Sequence, residues 1–146
     1  MAVGELLPKI VEGPIGPAAT VVDAVAAGAI DLWSPVIIVA PGTGEDLARV
    51  QATTTANSTA VYGVVVGPIR ASGKAADAAG DKVNVVTFGP SKVKVAAALA
   101  VGALIATSTT AGKAGAATPA IGAVLGKLLA ASGADGDIVP CFVGLG

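Results

Sequence analysis

Serine and lysine lie close together at two places in the chain, a spacing that nucleophilic catalysis can use. Ser72 lies two residues before Lys74, and Ser91 directly precedes Lys92. A lysine activates a serine hydroxyl only where its surroundings depress the lysine pKa. Both pairs lie beside glycine or proline, which predicts exposed loops where lysine keeps its charge. We therefore interpret both pairs as loop residues, not as catalytic pairs.

Two pairs of acidic residues are further candidates for chemistry. Asp135 and Asp137 resemble the start of a calcium-binding loop, but the glutamate that such a loop needs downstream is missing. We interpret these two aspartates as turn formers. Glu45 and Asp46 are predicted to lie at a solvated hairpin tip, because nothing in the sequence suggests the second, pocket-held acid that glycoside hydrolysis needs.

The chain contains no histidine and a single cysteine, Cys141. The absence of histidine excludes Ser–His–Asp and Cys–His triads and histidine-based zinc sites. Cys141 lies in an alternating segment between Val139 and Val143, which predicts a small core residue and not a nucleophile. A single cysteine also excludes an internal disulfide. We predict that the protein is not an enzyme and binds no metal and no cofactor.

Three glycine-rich pieces invite comparison with phosphate-binding loops. None of them combines the four-residue spacer between glycines with a Ser or Thr after the lysine. They are therefore predicted to be turns, and they are GTGEDL (42–47), SGKA (72–75) and AGKAG (111–115).

Charge and composition narrow the classes of partner. Nine Lys and Arg against ten Asp and Glu give a net charge of -1, which lacks the basic face that nucleic acid requires. One Trp, one Tyr and two Phe are too few for a base-stacking platform. The longest uncharged apolar stretch, 95–106, is too short to span a bilayer, and the N-terminus lacks the features of a secretory signal. We expect a protein that is soluble and intracellular when made, without a direct nucleic-acid or membrane partner.

Short apolar segments separated by Gly, Pro, Asp and Ser predict an all-β protein, either a barrel or a sandwich. In KVKVA (92–96), lysines alternate with valines, so one face is predicted to meet water and the other the core. The stretch 93–106 is rich in Ala and Leu, but Gly102 interrupts it, so at most one helical turn is expected. The predicted strands are 35–40, 47–52, 60–67, 81–89, 92–96, 103–107, 121–129 and 137–144.

One order of parts occurs twice along the chain. GVVVGPIRASG (63–73) is followed by GAVLGKLLAASG (122–133), and each copy soon reaches a Gly-Asp and a closing strand. The pseudo-repeats cover approximately 34–89 and 102–144. Two such units can bury their apolar faces against each other about an approximate two-fold axis. We therefore predict one β domain over 31–146, built from two similar units.

The first thirty residues differ from the rest. Prolines at positions 8, 14 and 17 block a continuous helix or central strand, so residues 1–30 are predicted to form an extended arm. Its apolar side chains need a surface to lie on, which makes them candidates for partner binding. Trp33, just after the arm, fits equally well as a barrel anchor or as part of a subunit contact. The candidate partner-binding residues are therefore Leu6, Leu7, Ile10, Val11, Ile15 and Trp33.

The stretch SPVIIVAPGTGEDLARVQATTTANSTAVYGVVVGPIRASG, followed by KVNVVTFGPSKVKV, resembles the phage head decoration proteins of the lambda type. The second half resembles small phage and prophage capsid proteins that repeat this unit. The resemblance covers the chain from about residue 30 to its C-terminus. This chain extends past the point where the lambda-type protein ends, and its arm is not similar, so the family's arm contacts do not transfer.

The resemblance implies a small β-barrel or β-tulip-like domain. It also implies a virion structural protein that binds the outside of an expanded icosahedral head as a homotrimer. There it would contact neighbouring subunits of the major capsid protein and stabilise the head. Two other classes stay open: a different virion or self-assembling β protein, such as a tail or spike component, and a small enzyme or sugar-binding module. The last would need a pocket lined by aromatics or carboxylates.

Overall fold

The computed structural model describes residues 19–118 and 122–144. These residues form nine strands and no helix, which confirms the all-β prediction. They accordingly offer no helix of the length and apolarity needed to cross a membrane. The strands are β1 (Thr20–Ala26), β2 (Pro35–Val39), β3 (Arg49–Gln51), β4 (Val61–Gly67), β5 (Lys82–Lys94), β6 (Leu104–Thr107), β7 (Ala114–Ala116), β8 (Gly126–Leu128) and β9 (Ile138–Val143).

Five strands close into a small barrel. Their order is β1, β3, β2, β4 and β5, and β5 returns to pair with β1. β1 and β3 run parallel, whereas the other neighbouring pairs are antiparallel. Because successive side chains of a strand point to opposite faces, one face of each strand fills the interior. The buried side chains of this first core are Ala24, Ala26, Ile30, Val36, Val50, Val65, Ala75, Ala76, Val83 and Val85.

The C-terminal half of β5 begins a second unit with β9, β8, β6 and β7. A single parallel bridge joins Val95 to Ala114, so β7 returns to the chain just after β5. The backbone N–H of Ala96 donates to the Ala114 carbonyl at 2.8 Å and supports this bridge. The second core contains Val64, Val86, Val93, Val95, Ile105, Ala114, Leu125, Leu128, Val139, Cys141 and Val143.

The two units repeat one strand order, with the second half of β5 in the place of β1. The N–H of Ala26 donates to the Asp81 carbonyl at 2.8 Å, and the N–H of Val95 donates to the Asp137 carbonyl at 2.9 Å. β3–β2–β4–β5 in the first unit matches β7–β6–β8–β9 in the second. The long β5 therefore closes the first unit and opens the second.

The alignment of the repeat differs from the prediction in one strand. The sequence pairs Gly63 with Gly122, but the structure matches Gly63 with Gly126, four positions further along (126 against 122). Gly63 lies opposite Val36, and Gly126 lies opposite Ile105, which is the corresponding core position. Backbone pairing decides the alignment, because each of these two glycines lets the neighbouring strand approach closely.

β1 lies inside the segment that was predicted to be the arm. Residues 1–18, with the three prolines of that prediction, lie outside the described residues. Residues 20–26 instead pair with both β3 and β5 as a barrel strand, so the extended arm does not reach residue 30. The prolines end at Pro17, and nothing in Thr20–Ala26 blocks a strand.

β5 is one strand of 13 residues where the sequence predicted two, 81–89 and 92–96. Gly89 and Pro90 indicated a break, but both lie within the ladder opposite Val143 and Phe142. Gly89 has a φ of 110° and lies against Ala19, a combination that a side chain would obstruct. The other predicted segments contain β2, β3, β4, β6, β8 and β9, whereas β1 and β7 were missed.

The units are also joined by a threonine-rich loop of the first unit. The Thr107 hydroxyl donates to the Thr55 carbonyl at 2.8 Å and accepts the Ser58 N–H at 2.9 Å. The Asn57 side-chain oxygen accepts the N–H of Thr118 at 2.8 Å. Two outward-facing valines of the first barrel, Val64 and Val86, belong to the second core. Polar and apolar contacts thus couple the two units.

An aspartate holds the corresponding turn in each unit. One oxygen of Asp81 accepts the N–H groups of Asp77 and Ala78 at 2.9 and 3.1 Å, and Asp137 accepts those of Gly133 and Ala134 at 2.8 and 3.1 Å. The two bonds to Asp81 favour its ionised carboxylate. They lower the pKa of Asp81 below its ordinary value, and the bond from the Asp77 N–H has the larger effect, followed by that from Ala78.

We expect Asp81→Asn to lower the melting temperature at pH 7 and to lower it less at pH 3. A carboxyl whose pKa is lower in the folded state contributes stability above its unfolded pKa, about 3.9, and loses it as the pH falls through the folded value. Thermal unfolding of both proteins at the two pH values measures this difference. Asp46→Asn, the same change at an exposed carboxylate, is the control. A deficit of equal size at both pH values would contradict the prediction.

Candidate functional site

Trp33 adopts a left-handed backbone conformation, and a glycine occupies the corresponding position of the second unit. Its φ is 65°, and the corresponding residue of the second unit, Gly102, has a φ of 80°. The N–H of Trp33 donates to the Val65 carbonyl at 2.7 Å, and the N–H of Gly102 donates to the Leu128 carbonyl at 2.9 Å. Because Val65 and Leu128 lie two residues after the matched glycines Gly63 and Gly126, these bonds show that Trp33 and Gly102 occupy corresponding positions. A left-handed conformation costs a residue with a side chain about 1–2 kcal/mol. Such strain often accompanies a functional side chain.

The Trp33 ring lines an apolar groove of about 430 Å³ where the two units meet. The Lys92 ammonium lies 5.9 Å from the centre of the indole ring, within range of a cation–π interaction. The Trp33 carbonyl accepts the N–H of Lys94 at 2.9 Å, which fixes the tryptophan to β5. We call this feature the Trp33 groove, and its lining residues are Trp33, Val66, Val86, Pro90, Ser91, Lys92 and Pro140.

The structure places only one of the predicted partner-binding residues. Trp33 lines the groove, whereas Leu6, Leu7, Ile10, Val11 and Ile15 lie outside the described residues. Sequence reasoning missed the other lining residues. The available signal was Pro90 and Pro140 within two strand-like segments, because proline is rare inside a sheet. In the structure, Pro140 lies opposite Lys92 and diagonally across from Pro90.

Neither serine–lysine pair forms a catalytic dyad. The Ser72 hydroxyl donates to Asp77, and the Lys74 ammonium lies 3.5 Å from an Asp31 oxygen. Both residues lie in a loop, as predicted. Ser91 and Lys92 were also predicted to lie in a loop, but they belong to β5. The ladder with β9 continues through Pro90, so the neighbouring proline does not end the strand.

The acidic candidates have structural partners. Asp135 pairs with the Lys113 ammonium at 2.7 Å, and Asp137 forms the turn described above, as predicted. Glu45 accepts the N–H of Gly42 at 2.6 Å and pairs with Arg49. The backbone bond from Gly42, and then the Arg49 bond, lower the pKa of Glu45. Glu45 is therefore a partly covered cap of its turn and not the freely solvated tip that was predicted.

Two of the glycine-rich pieces, 42–47 and 72–75, form turns as predicted, whereas the end of 111–115 enters β7. No group of three His, Cys, Asp or Glu residues with metal-binding geometry occurs within 19–118 and 122–144. In that part of the chain, the Trp33 groove combines a strained backbone at Trp33, an apolar lining and the exposed ammonium of Lys92.

Cys141 lies in β9 inside the second core, as its alternation predicted. Burial raises the pKa of its thiol to about 12. We therefore expect Cys141 to react with a disulfide reagent such as DTNB only after unfolding, because the thiolate is the reactive form. The measurement compares release of the coloured thiolate in buffer and in guanidinium chloride. Rapid stoichiometric reaction in buffer would show that this strand is open in solution.

Comparison with known proteins bears on the fold. No family model matches the chain, and no curated protein is similar to it in sequence. Among solved structures, it is similar to the N base of the head fiber gp8.5 of bacteriophage phi29, with a TM-score of 0.55. The similarity covers 87% of this chain and 95% of that chain at 16% sequence identity. At this identity, the similarity shows a shared fold.

The neighbour is a head fiber base and not a decoration protein of the lambda type. The predicted all-β fold is shown, whereas the predicted resemblance to lambda-type decoration proteins stays a prediction. The decoration role and the trimer remain predictions.

Proposed function

We propose that the protein is a structural component of a phage head, held on the outer surface of the capsid by apolar contacts. The observation that carries the proposal is the shared fold, which extends over nearly the whole N base of a phage head fiber. A protein with this role needs shape and many weak contacts acting together, and it needs no reactive group.

The Trp33 groove supports the proposal independently of the comparison. Tryptophan is enriched at the energetic centres of protein interfaces, and lysine and proline around it provide a polar rim and a rigid floor. Trp33 is half-buried and strained, whereas the second unit has Gly102 at this position, which is consistent with selection for the indole ring. Together with the arm residues Leu6, Leu7, Ile10, Val11 and Ile15, Trp33 forms the proposed capsid-binding set.

In its finer form, the proposal is that trimers bind the expanded capsid lattice and not the compact one. Each bound trimer then shifts the equilibrium towards the expanded shell, because a ligand stabilises the state that it binds. The contact partner in this form is the major capsid protein.

Co-sedimentation with undecorated heads tests the proposal. The full-length protein is mixed with compact and with expanded heads of its source phage, and bound copies per capsid subunit are counted at saturation. We expect saturable binding to expanded heads near one copy per capsid subunit. Ile69→Ser is the matched control, because Ile69 is 73% exposed and lies outside the groove, so its loss is expected to leave binding unchanged. Absence of binding to either form of head would contradict the proposal.

A head fiber base is the second candidate, and the identity of the structural neighbour favours it. If fibers stand well apart on the head, the same experiment would saturate far below one copy per capsid subunit. The copy number therefore separates the two forms of the proposal.

A further inference from the structure

We propose that the Trp33 groove binds the Pro14–Pro17 segment of its own chain. The segment reads Pro-Ile-Gly-Pro, a P-x-x-P pattern two residues before the first described residue, Ala19. Prolines at this spacing favour the extended polyproline helix, and aromatic-lined grooves are the surfaces that recognise it. The groove is of this kind, because an indole ring stands beside Val66, Pro90 and an exposed lysine.

The position of Ala19 supports this docking, because it lies close to the groove. A Cβ at Gly89 would lie 2.8 Å from the Cα of Ala19, so Ala19 is packed on the residue before Pro90. Thr20 pairs with Phe88, and β1 runs antiparallel to β5. A segment that continued the direction of β1 backwards from Ala19 would run towards higher numbers on β5, past Pro90 and Lys92.

The length of the segment fits the groove. Three residues of polyproline helix, from Pro14 to Pro17, cover about 9 Å. Along β5, the distance from Pro90 to Lys92 is about 7 Å and that from Pro90 to Lys94, which holds the Trp33 carbonyl, is about 13 Å. A segment anchored at Ala19 can therefore bring Pro17 to Pro90 and Pro14 to the indole ring.

Charge is complementary along the same path. Glu12 lies two residues before Pro14, and Lys92 lies over the indole with an exposed side chain. With the segment in the groove, the Glu12 carboxylate would be near this cation. Docking would fix the root of the arm and leave Leu6 to Val11 to extend from a defined point. This inference concerns the isolated protein and stands whether or not the protein binds capsids.

The single tryptophan of the chain makes the test direct, because all indole fluorescence comes from Trp33. Acrylamide quenching is measured on the full-length protein and on a Pro14→Gly/Pro17→Gly double variant, each checked for its fold by circular dichroism. Pro8→Gly is the matched control, since it is the same change outside the P-x-x-P pattern. We expect the quenching constant of the double variant to rise about twofold, because docking covers one face of the ring. The control is expected to match the unchanged protein.

A synthetic peptide of residues 10–18 provides a second measurement. Added to the double variant, it is expected to restore the low quenching constant. Equal quenching in the unchanged protein and the double variant would overturn the proposal. Quenching that falls as protein concentration rises would assign the groove to a second copy of the chain, and this outcome also overturns docking within one molecule.

Discussion

Gly63→Ala and Gly126→Ala are each expected to destabilise the protein by about 3 kcal/mol or more, at the upper end of overpacking effects. A Cβ at Gly63 would lie less than 3.0 Å from the Val86 carbonyl oxygen, and one at Gly126 would meet the Phe142 carbonyl oxygen in the same way. Backbone atoms cannot rotate away as a flexible side chain can. Relief requires β4 to separate from β5, or β8 from β9. Both separations open a core.

Chemical denaturation of the two variants measures the effect. Gly28→Ala is the matched control, because no atom lies within 4 Å of a Cβ placed there. We expect the control to unfold at nearly the same denaturant concentration as the unchanged protein. The two glycines occupy corresponding positions of the two units, so similar losses at both would support the structural alignment of the repeat. A Gly122→Ala variant as unstable as Gly126→Ala would support the alignment that the sequence suggested, although Gly122 has a φ of 80° that also disfavours alanine.

The sequence predicted the strands whose side chains alternate or whose ends carry turn residues. β2, β4 and β9 are examples, because valine and isoleucine favour the pleated surface and glycine or proline bound them. β7 was missed because its residues, Ala-Gly-Ala, have little preference for a strand. Its place in the fold comes from pairing with β6, which is a long-range contact that a local pattern does not record.

Local sequence could not predict that β5 is one continuous strand, for a related reason. Gly89 and Pro90 usually end a strand, and only the partners on both sides show that β5 continues through them. The same partners show that β5 belongs to both units. The order of parts in the repeat was visible in the sequence, whereas the alignment of Gly63 depended on which backbone faces it.

The candidate site was predictable in one residue only. Trp33 stood out because it is the single tryptophan and follows the proline-rich segment. Its left-handed conformation could not be read from the sequence, since tryptophan is a poor choice for that region. Val66 and Pro140 come from β4 and β9, more than seventy residues apart (66 against 140), and only the fold brings them to one groove.

Trp33→Gly is expected to keep the fold and to weaken binding to expanded heads by a factor of about 30 or more, the size of effect seen when an interface anchor is truncated. The fold is expected to survive because Gly102 already occupies the corresponding position with a similar φ. Glycine relieves the left-handed strain, and this gain offsets the lost contact with Lys92, which is worth about 0.5–1 kcal/mol at an exposed site.

Trp33→Ala distinguishes the contribution of the indole ring from that of the left-handed backbone. It removes the indole but keeps a Cβ in the left-handed region, so it is expected to be less stable than Trp33→Gly by about 1 kcal/mol while binding heads equally poorly. Melting temperatures and co-sedimentation of the three proteins give both quantities. If Trp33→Gly bound heads as well as the unchanged protein does, neither the Trp33 groove nor the Pro14–Pro17 segment proposed to bind in it would contribute to attachment. Equal stability of the two variants would show instead that the backbone at position 33 is not strained, and the reason to regard the ring as functional would then rest on the groove alone.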